Sequence, residues 1–421
     1  MRVAEELVTQ GFFWKAGEEE RSSGGILRIY DGGAFELELV KKLGMDELSE
    51  ELMSSDIEKK RFNICGEINK GSYVTLEGCY YKKKSHSLTN NIANYIIRGK
   101  RAILGAALET TEEAFKYRSA TFNLEEIEIW IGESGFKKQY LDDLESFKIS
   151  YTPPPAVSAN IEGMGALLIR SSAIQKNYTP TKIDYCQTTS FILKPEQPLE
   201  IRPIIELISR IQHFIIFSTQ QPIILKNVKA ALDVPEKKPY KVDIYYESLP
   251  FNSNFQKLKE DNILFTLQDI KNDLPRLIKN WLDIFEKAKP AMGLYFSAIM
   301  ETHKYLDTTC LAVCQAAETY QRRISGEEAT FKNRIKKLFY PFSPYCKIDA
   351  EKFFEDVKTT RNYLTHYRED LAGKSCKGLE LYILNRNIRN LITANIMKDI
   401  GIDMPTIEKA LQESIKISSD F

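Results

Sequence analysis

From Gly24 to about Leu249 the hydrophobic positions fall in short alternating or β-branched runs broken by turn residues, a pattern that predicts strands. Ile26 to Tyr30 and Phe35 to Val40 flank Asp31-Gly32-Gly33, a hairpin signal because glycine enters positive φ without steric cost. Phe62 to Ile68 and Tyr73 to Tyr81 flank Asn69-Lys70-Gly71 in the same style. Further strands are expected at Glu125 to Ile131, Phe147 to Tyr151, Gly165 to Arg170, Thr188 to Leu193 and Lys241 to Glu247. One helix interrupts this half, from about Pro203 to Ser218, where Ile204, Ile208, Ile211 and Ile215 repeat at helical spacing. His213 lies off that stripe and reads as a polar-face residue.

A segment rich in Asn, Ser, Lys and Glu, from Leu249 to Asn262, separates this half from one with helical periodicity. Helices are expected at Leu274 to Lys287, Ala291 to Ile324, Glu327 to Phe339, Ala350 to Leu371 and Leu379 to Ile400. The chain therefore reads as α+β, with a β-rich domain over residues 1–250 followed by an all-α bundle over residues 251–421. A length of 421 residues suits two or three domains, each with its own core.

Two helices separate structural from chemical candidates. On the Ala350 to Leu371 stretch, at about 100° per residue, Phe353, Val357, Thr360, Leu364, Tyr367 and Leu371 share one face. Asn362 falls about 180° from that face, His366 about 140° on one side and Arg361 about 80° on the other. His303, by contrast, lies within the apolar stripe of the long helix expected from Ala291 and reads as a packed core histidine. The stretch Arg361-Asn362-Tyr363-Leu364-Thr365-His366 thus turns an Arg, an amide and the last of four histidines away from their own core. Arg stays cationic and can brace a phosphate, whereas His moves a proton near neutral pH.

Composition narrows the partners. Apolar content of 43% and charged content of 28% fit a folded protein, and 58 basic residues balance 58 acidic ones, so any RNA contact must come from a local patch. Arg322, Arg323, Lys332, Arg334, Lys336 and Lys337 cluster around Gly326, and Phe339, Tyr340 and Phe342 follow with rings that could stack on bases. A solvated helix face with a structural loop explains the same residues equally well. Lys82-Lys83-Lys84 reads as an ordinary hairpin tip. No stretch approaches the roughly 20 apolar residues of a membrane span, the N-terminus lacks a leader pattern, and seven scattered cysteines read as reduced thiols, so a cytoplasmic chain is expected. Cys310 and Cys314 lack a second ligand pair and read as small buried residues. Gly163-Met164-Gly165 is no dinucleotide fingerprint, and neither cofactor nor metal is expected.

The Arg361, Asn362 and His366 spacing resembles that of the HEPN superfamily. Its ribonuclease members carry Arg, then a polar residue, then His after four to six intervening positions. Ala316-Ala317-Glu318-Thr319-Tyr320 with Arg322-Arg323 looks like the preceding helix of the ApeA-like branch. Gly11-Phe12-Phe13-Trp14 and Gly25-Ile26-Leu27 look like that branch's β-rich amino-terminal domain. The resemblance implies an anti-phage abortive-infection toxin acting on RNA, with transfer-RNA anticodon loops as a target by analogy, and a phage-derived trigger sensed by the N-terminal half. It implies a homodimer or higher even-numbered assembly, since one His per chain supplies only one acid or base. The expected chemistry is attack of the 2′-hydroxyl, leaving a 2′,3′-cyclic phosphate and a 5′-hydroxyl, with His366 moving protons, Arg361 holding the phosphorane and Asn362 orienting the imidazole or bonding the phosphate. The alternative reading is a non-catalytic HEPN module that binds a partner.

Overall fold

The computed structural model describes every residue except 42, 44–60, 70, 87–92, 109–113, 142–145, 234–239, 253, 255–256, 301–303 and 420–421. His303 lies outside the described residues. The chain forms two compact units: Met1–Glu125, Ser134–Ile208 and Ile224–Gln256 make one, and Glu126–Glu133, Ser209–Ile223 and Lys257–Phe421 make the other. Two segments from the first 250 residues, 126–133 and 209–223, thus belong to the second unit.

The first unit is built on an antiparallel sheet. Six of its strands, β1 (Leu7–Lys15), β2 (Ser23–Ile29), β3 (Phe35–Leu39), β4 (Phe62–Ile68), β5 (Ser72–His86) and β6 (Ala93–Arg98), run β5-β4-β1-β2-β3-β6 and close back onto β5 as a barrel. Closure rests on the length of β5: residues 72–79 pair with β4 and residues 80–86 with β6, with a register shift between Tyr81 and Lys83. Lys82, Lys83 and Lys84 therefore lie inside a strand and not at a hairpin tip. Alternation along β2 and β3 sends Leu27, Ile29, Phe35, Leu37 and Leu39 inward, where they pack with Phe13, Ile64, Val74 and Ile97. In the β2–β3 turn Gly33 has φ 87°, and a Cβ there would collide with the Tyr246 carbonyl.

The sheet continues outward from β5 through β7 (Arg101–Leu104), β16 (Lys241–Tyr246), β15 (Leu225–Leu232), β8 (Lys116–Leu124), β13 (Lys182–Lys194) and β12 (Gly165–Thr179) to β11 (Val157–Ile161). β14 (Leu199–Glu200) pairs with β8, while β9 (Phe136–Tyr140) and β10 (Phe147–Tyr151) form a separate ribbon. The strand expected over Glu125 to Ile131 is instead a short helix, α1 (Ile127–Ile131). Glu126 (φ 53°) and Gly132 (φ 68°) bracket it in left-handed conformations, and Ile127, Trp130 and Ile131 bury at i, i+3 and i+4, a helical period.

The second unit is helical. With α2 (Ile201–Thr219) contributing its second half, it holds α3 (Leu267–Ile270), α4 (Leu274–Lys287), α5 (Lys289–Ile299), α6 (Leu306–Ser325), α7 (Phe331–Phe339), α8 (Ala350–His366), α9 (Glu369–Ala372), α10 (Gly378–Ile400) and α11 (Met404–Gln412). The single helix expected from Ala291 to Ile324 is two, because Tyr305 is extended (φ −116°, ψ 138°) and its carbonyl accepts from the Thr308 and Thr309 hydroxyls. The helix expected from Glu327 begins later, at Phe331, where Thr330 is the N-cap.

α10 is apolar nearly all round, with Leu384, Ile388, Leu391, Ile392, Ile396 and Ile400 buried, which marks a central helix. The N–H groups of its buried amides are matched to backbone carbonyls: Asn385 donates to Leu306, Asn387 to Ser418, Asn390 to Lys416 and Asn395 to Leu338, at 2.9–3.0 Å. Each such bond contributes about 1 kcal/mol when made and costs more when a buried partner is orphaned. Trp281 of α4 sits in an aromatic cluster with Phe214, Phe217, Phe285 and Phe296, and its indole N–H donates to the Arg210 carbonyl. His213 belongs to that cluster: its ring lies 4.6 Å from Phe296 and Nδ1 is 2.7 Å from the Ser209 carbonyl. It is a packed residue and not one on a polar face.

Candidate active site

α8 starts where the Asp349 carboxylate accepts the Lys352 N–H at 2.9 Å, a side-chain N-cap. Its core face buries Phe353, Phe354, Val357, Thr360 and Leu364, and Thr360 Oγ1 accepts the Cys376 N–H at 3.0 Å. This phasing rolls the opposite faces outward: Arg361 and Asn362 are half-buried, Thr365 and His366 exposed. The expected continuation to Leu371 does not occur. Tyr367 takes a left-handed conformation (φ 48°, ψ 39°), its N–H caps the Tyr363 carbonyl, and the two tyrosine rings pack at 5.6 Å. His366 is therefore the last helical residue, and Tyr367, expected on the core face, is 64% exposed.

Arg361 has a defined setting. Its Nη1 donates to Asn362 Oδ1 at 3.2 Å, its Nη2 lies 3.6 Å from Glu318 Oε2 on α6, and its guanidinium stands 5.2 Å from the Phe331 ring at the start of α7. Asn362 thus orients the arginine. Phe331 was not singled out in the sequence, and Glu318 entered only as part of the stretch that resembles the ApeA-like branch, not as a neighbour of Arg361, although it stands one helical turn before Arg322. The other oxygen of Glu318 takes Arg322 Nη2 at 2.7 Å.

The proposed basic rim looks different in three dimensions. Arg322 and Arg323 are exposed on α6 and Tyr340 is 55% exposed. Arg334, counted from sequence as a surface cation, is fully buried and donates to Gln321 Oε1 at 2.5 Å, with Glu328 3.8 Å away; it is a core arginine, unable to meet RNA without unfolding. Helical phasing explains this, because Arg334 shares the inward face of α7 with Ile335, Leu338 and Phe339. Lys336 pairs with Glu351 at 2.7 Å, Lys332 with Glu355, and Lys337 with Glu327, so these lysines already hold carboxylates. Phe339 and Phe342 are core residues and offer no ring to a base.

Cys310 and Cys314 are both buried, and the Cys314 thiol is pushed up by its hydrogen bond with Cys310 and by burial. They line the interior face of α6. Tyr320, also buried there, is raised by burial and by Asp399, whose carboxylate accepts its hydroxyl at 2.7 Å.

A helical unit that ends one helix on an outward Arg-polar-His set, preceded by a β-barrel unit, defines a HEPN-type architecture. The chain belongs to the ApeA family: the family description "ApeA N-terminal domain 1" matches residues 9–281, and "Apea-like HEPN" matches residues 311–406. No curated protein and no solved structure matches the chain significantly. The family makes this a HEPN-type protein of abortive-infection defence. Among the described residues no helix is long and apolar enough to cross a membrane.

Proposed function

We propose that this protein is a metal-independent endoribonuclease toxin of anti-phage defence, with transfer-RNA anticodon loops as its target class. The observation that carries the reading is the outward Arg361, Asn362 and His366 set on a helix whose opposite face is core. RNA brings its own nucleophile, so the protein need only remove the 2′-hydroxyl proton, hold the charged phosphorane and protonate the leaving 5′-oxygen. His366 moves the protons, Arg361 grips non-bridging oxygens, and Asn362 holds the Arg361 guanidinium by its 3.2 Å contact. The products are a 2′,3′-cyclic phosphate and a 5′-hydroxyl.

One histidine per motif cannot serve as acid and base at once, so we infer a homodimer or larger even-numbered assembly in which two motifs share a cleft. An active, stable monomer in sedimentation would overturn this. Residues 1–250 are proposed as the sensor of a phage-derived trigger and residues 251–421 as the nuclease. The test uses the full chain, because cutting near residue 250 would strip Phe214 and Phe217 from Trp281 in the helical unit. Wild type, Arg361→Ala and His366→Ala are expressed with and without phage, and growth arrest and RNA ends are recorded. Loss of protection together with loss of cyclic-phosphate ends supports the nuclease; unchanged protection by both variants supports a non-catalytic binding module.

A further inference from the structure

Among the described residues, Glu318 is the one carboxylate that touches two arginines at this site. Its Oε1 lies 2.7 Å from Arg322 Nη2 and its Oε2 lies 3.6 Å from Arg361 Nη2. Its side chain is only 20% accessible, whereas that of Arg322 is 51% accessible and that of Arg361 33%. The carboxylate is thus sunk between the helices while both guanidinium groups reach solvent. The two contacts are unequal. At 2.7 Å the Arg322 bond is a charge-assisted hydrogen bond, but 3.6 Å is too long for one, so Arg361 Nη2 is steered without being consumed.

Charge arithmetic points the same way. Two guanidinium groups around one carboxylate leave one positive charge uncompensated, the complement of one phosphodiester. The lysines of α7 differ, since they are set among three glutamates: Lys332 lies between Glu351 and Glu355, Lys336 bonds Glu351 and Lys337 bonds Glu327. We propose that Arg322 is a second phosphate-binding residue of the Arg361 site, and that Glu318 is the positioning residue that holds both guanidinium groups for an RNA phosphate. This deepens the nuclease reading and rests on it for the cleavage step alone.

The expected sequence of events is simple. Before RNA arrives, Glu318 offsets the repulsion between the two arginines and fixes their side-chain geometry, so little ordering remains to be done on binding. An arriving phosphate takes the free Arg361 donors and the outer Arg322 donors. Glu318 stays behind them as a fixed counter-charge.

Two measurements on the full chain test this. In a His366→Ala background, binding of a short fluorescein-labelled single-stranded RNA is followed by anisotropy across a salt series. Arg322→Ala should weaken binding about tenfold and lower the salt slope by about 0.7, as Arg361→Ala should. Glu318→Gln keeps the shape and removes the charge, so RNA should bind about threefold tighter at low salt. With His366 intact, the same Glu318→Gln change should lower kcat about tenfold or more while KM falls, a split that loss of fold would not produce. Thermal melts of each variant matching the parent establish that the fold is kept. Arg322→Ala with parental affinity and slope would overturn the two-arginine site, and Glu318→Gln with parental kcat, KM and affinity would overturn the positioning role. If the binding changes appear while the unmodified chain cleaves no RNA, the phosphate site stands and the nuclease reading falls.

Discussion

The helical unit places one arginine and one histidine inside and another of each at its surface. Inside, Arg334 is fully buried against Gln321, and His213 is wedged among Phe285, Phe296 and the Ser209 carbonyl. At the surface, Arg361 is half-exposed beside a carboxylate too distant to bond it, and His366 is exposed with no hydrogen-bond partner among the described residues. Residue type is the same in both places, and surroundings decide the role. The interior pair supports packing, while the surface pair keeps its donors and its imidazole available to a ligand.

The largest effect that could break this contrast is catalytic. His366→Ala and Arg361→Ala should each lower RNA cleavage by about 100-fold or more, with melting temperatures close to wild type. A comparable loss of activity from His213→Phe with unchanged stability would dissolve the distinction. Next comes Arg334. Arg334→Ala should cost about 3 kcal/mol in urea denaturation by leaving a cavity and stranding Gln321, whereas Arg334→Met, which fills the space but still strands Gln321 Oε1, should cost about 1–2 kcal/mol.

A smaller effect is pH-dependent. Burial lowers the His213 pKa below its ordinary 6.5, so the unfolded chain binds the proton more readily than the folded one. Stability from this group is intact above 6.5 and is lost as pH falls through the depressed folded value. His213→Phe should flatten the fall in stability that sets in below about pH 6.5, measured by urea denaturation across a pH series. The smallest effect is expected from α7: Lys336→Ala and Lys337→Ala should change RNA affinity by less than about twofold, because each lysine is already paired with a glutamate.

The chain showed in its sequence which residues face outward on α8, because Phe353, Val357, Thr360 and Leu364 set the helical phase without ambiguity. It also showed the β-hairpins around Gly32-Gly33 and Asn69-Gly71, where turn chemistry is local. Less was legible where the decisive partner is distant in sequence. Glu318 lies 43 positions from Arg361 along the chain (361 minus 318), and no periodicity links them. Arg334 was misplaced because a cation was weighed by its charge and not by its phase with Ile335 and Leu338. The short helix at Ile127 was masked by β-branched composition, and barrel closure by β5 depends on a register shift that leaves no compositional trace.

The left-handed stop at Tyr367 turns the end of α8 into a ruler. Five residues of helix fix His366 about 7.5 Å along the axis from Arg361 and about 140° around it. A single residue inserted between them would swing the imidazole by about 100° while leaving every side chain chemically present. Such an insertion at Thr365 would keep Arg361, Asn362 and the imidazole and change only their alignment, so in this chain the length of the segment sets the geometry of the pair as much as its letters do.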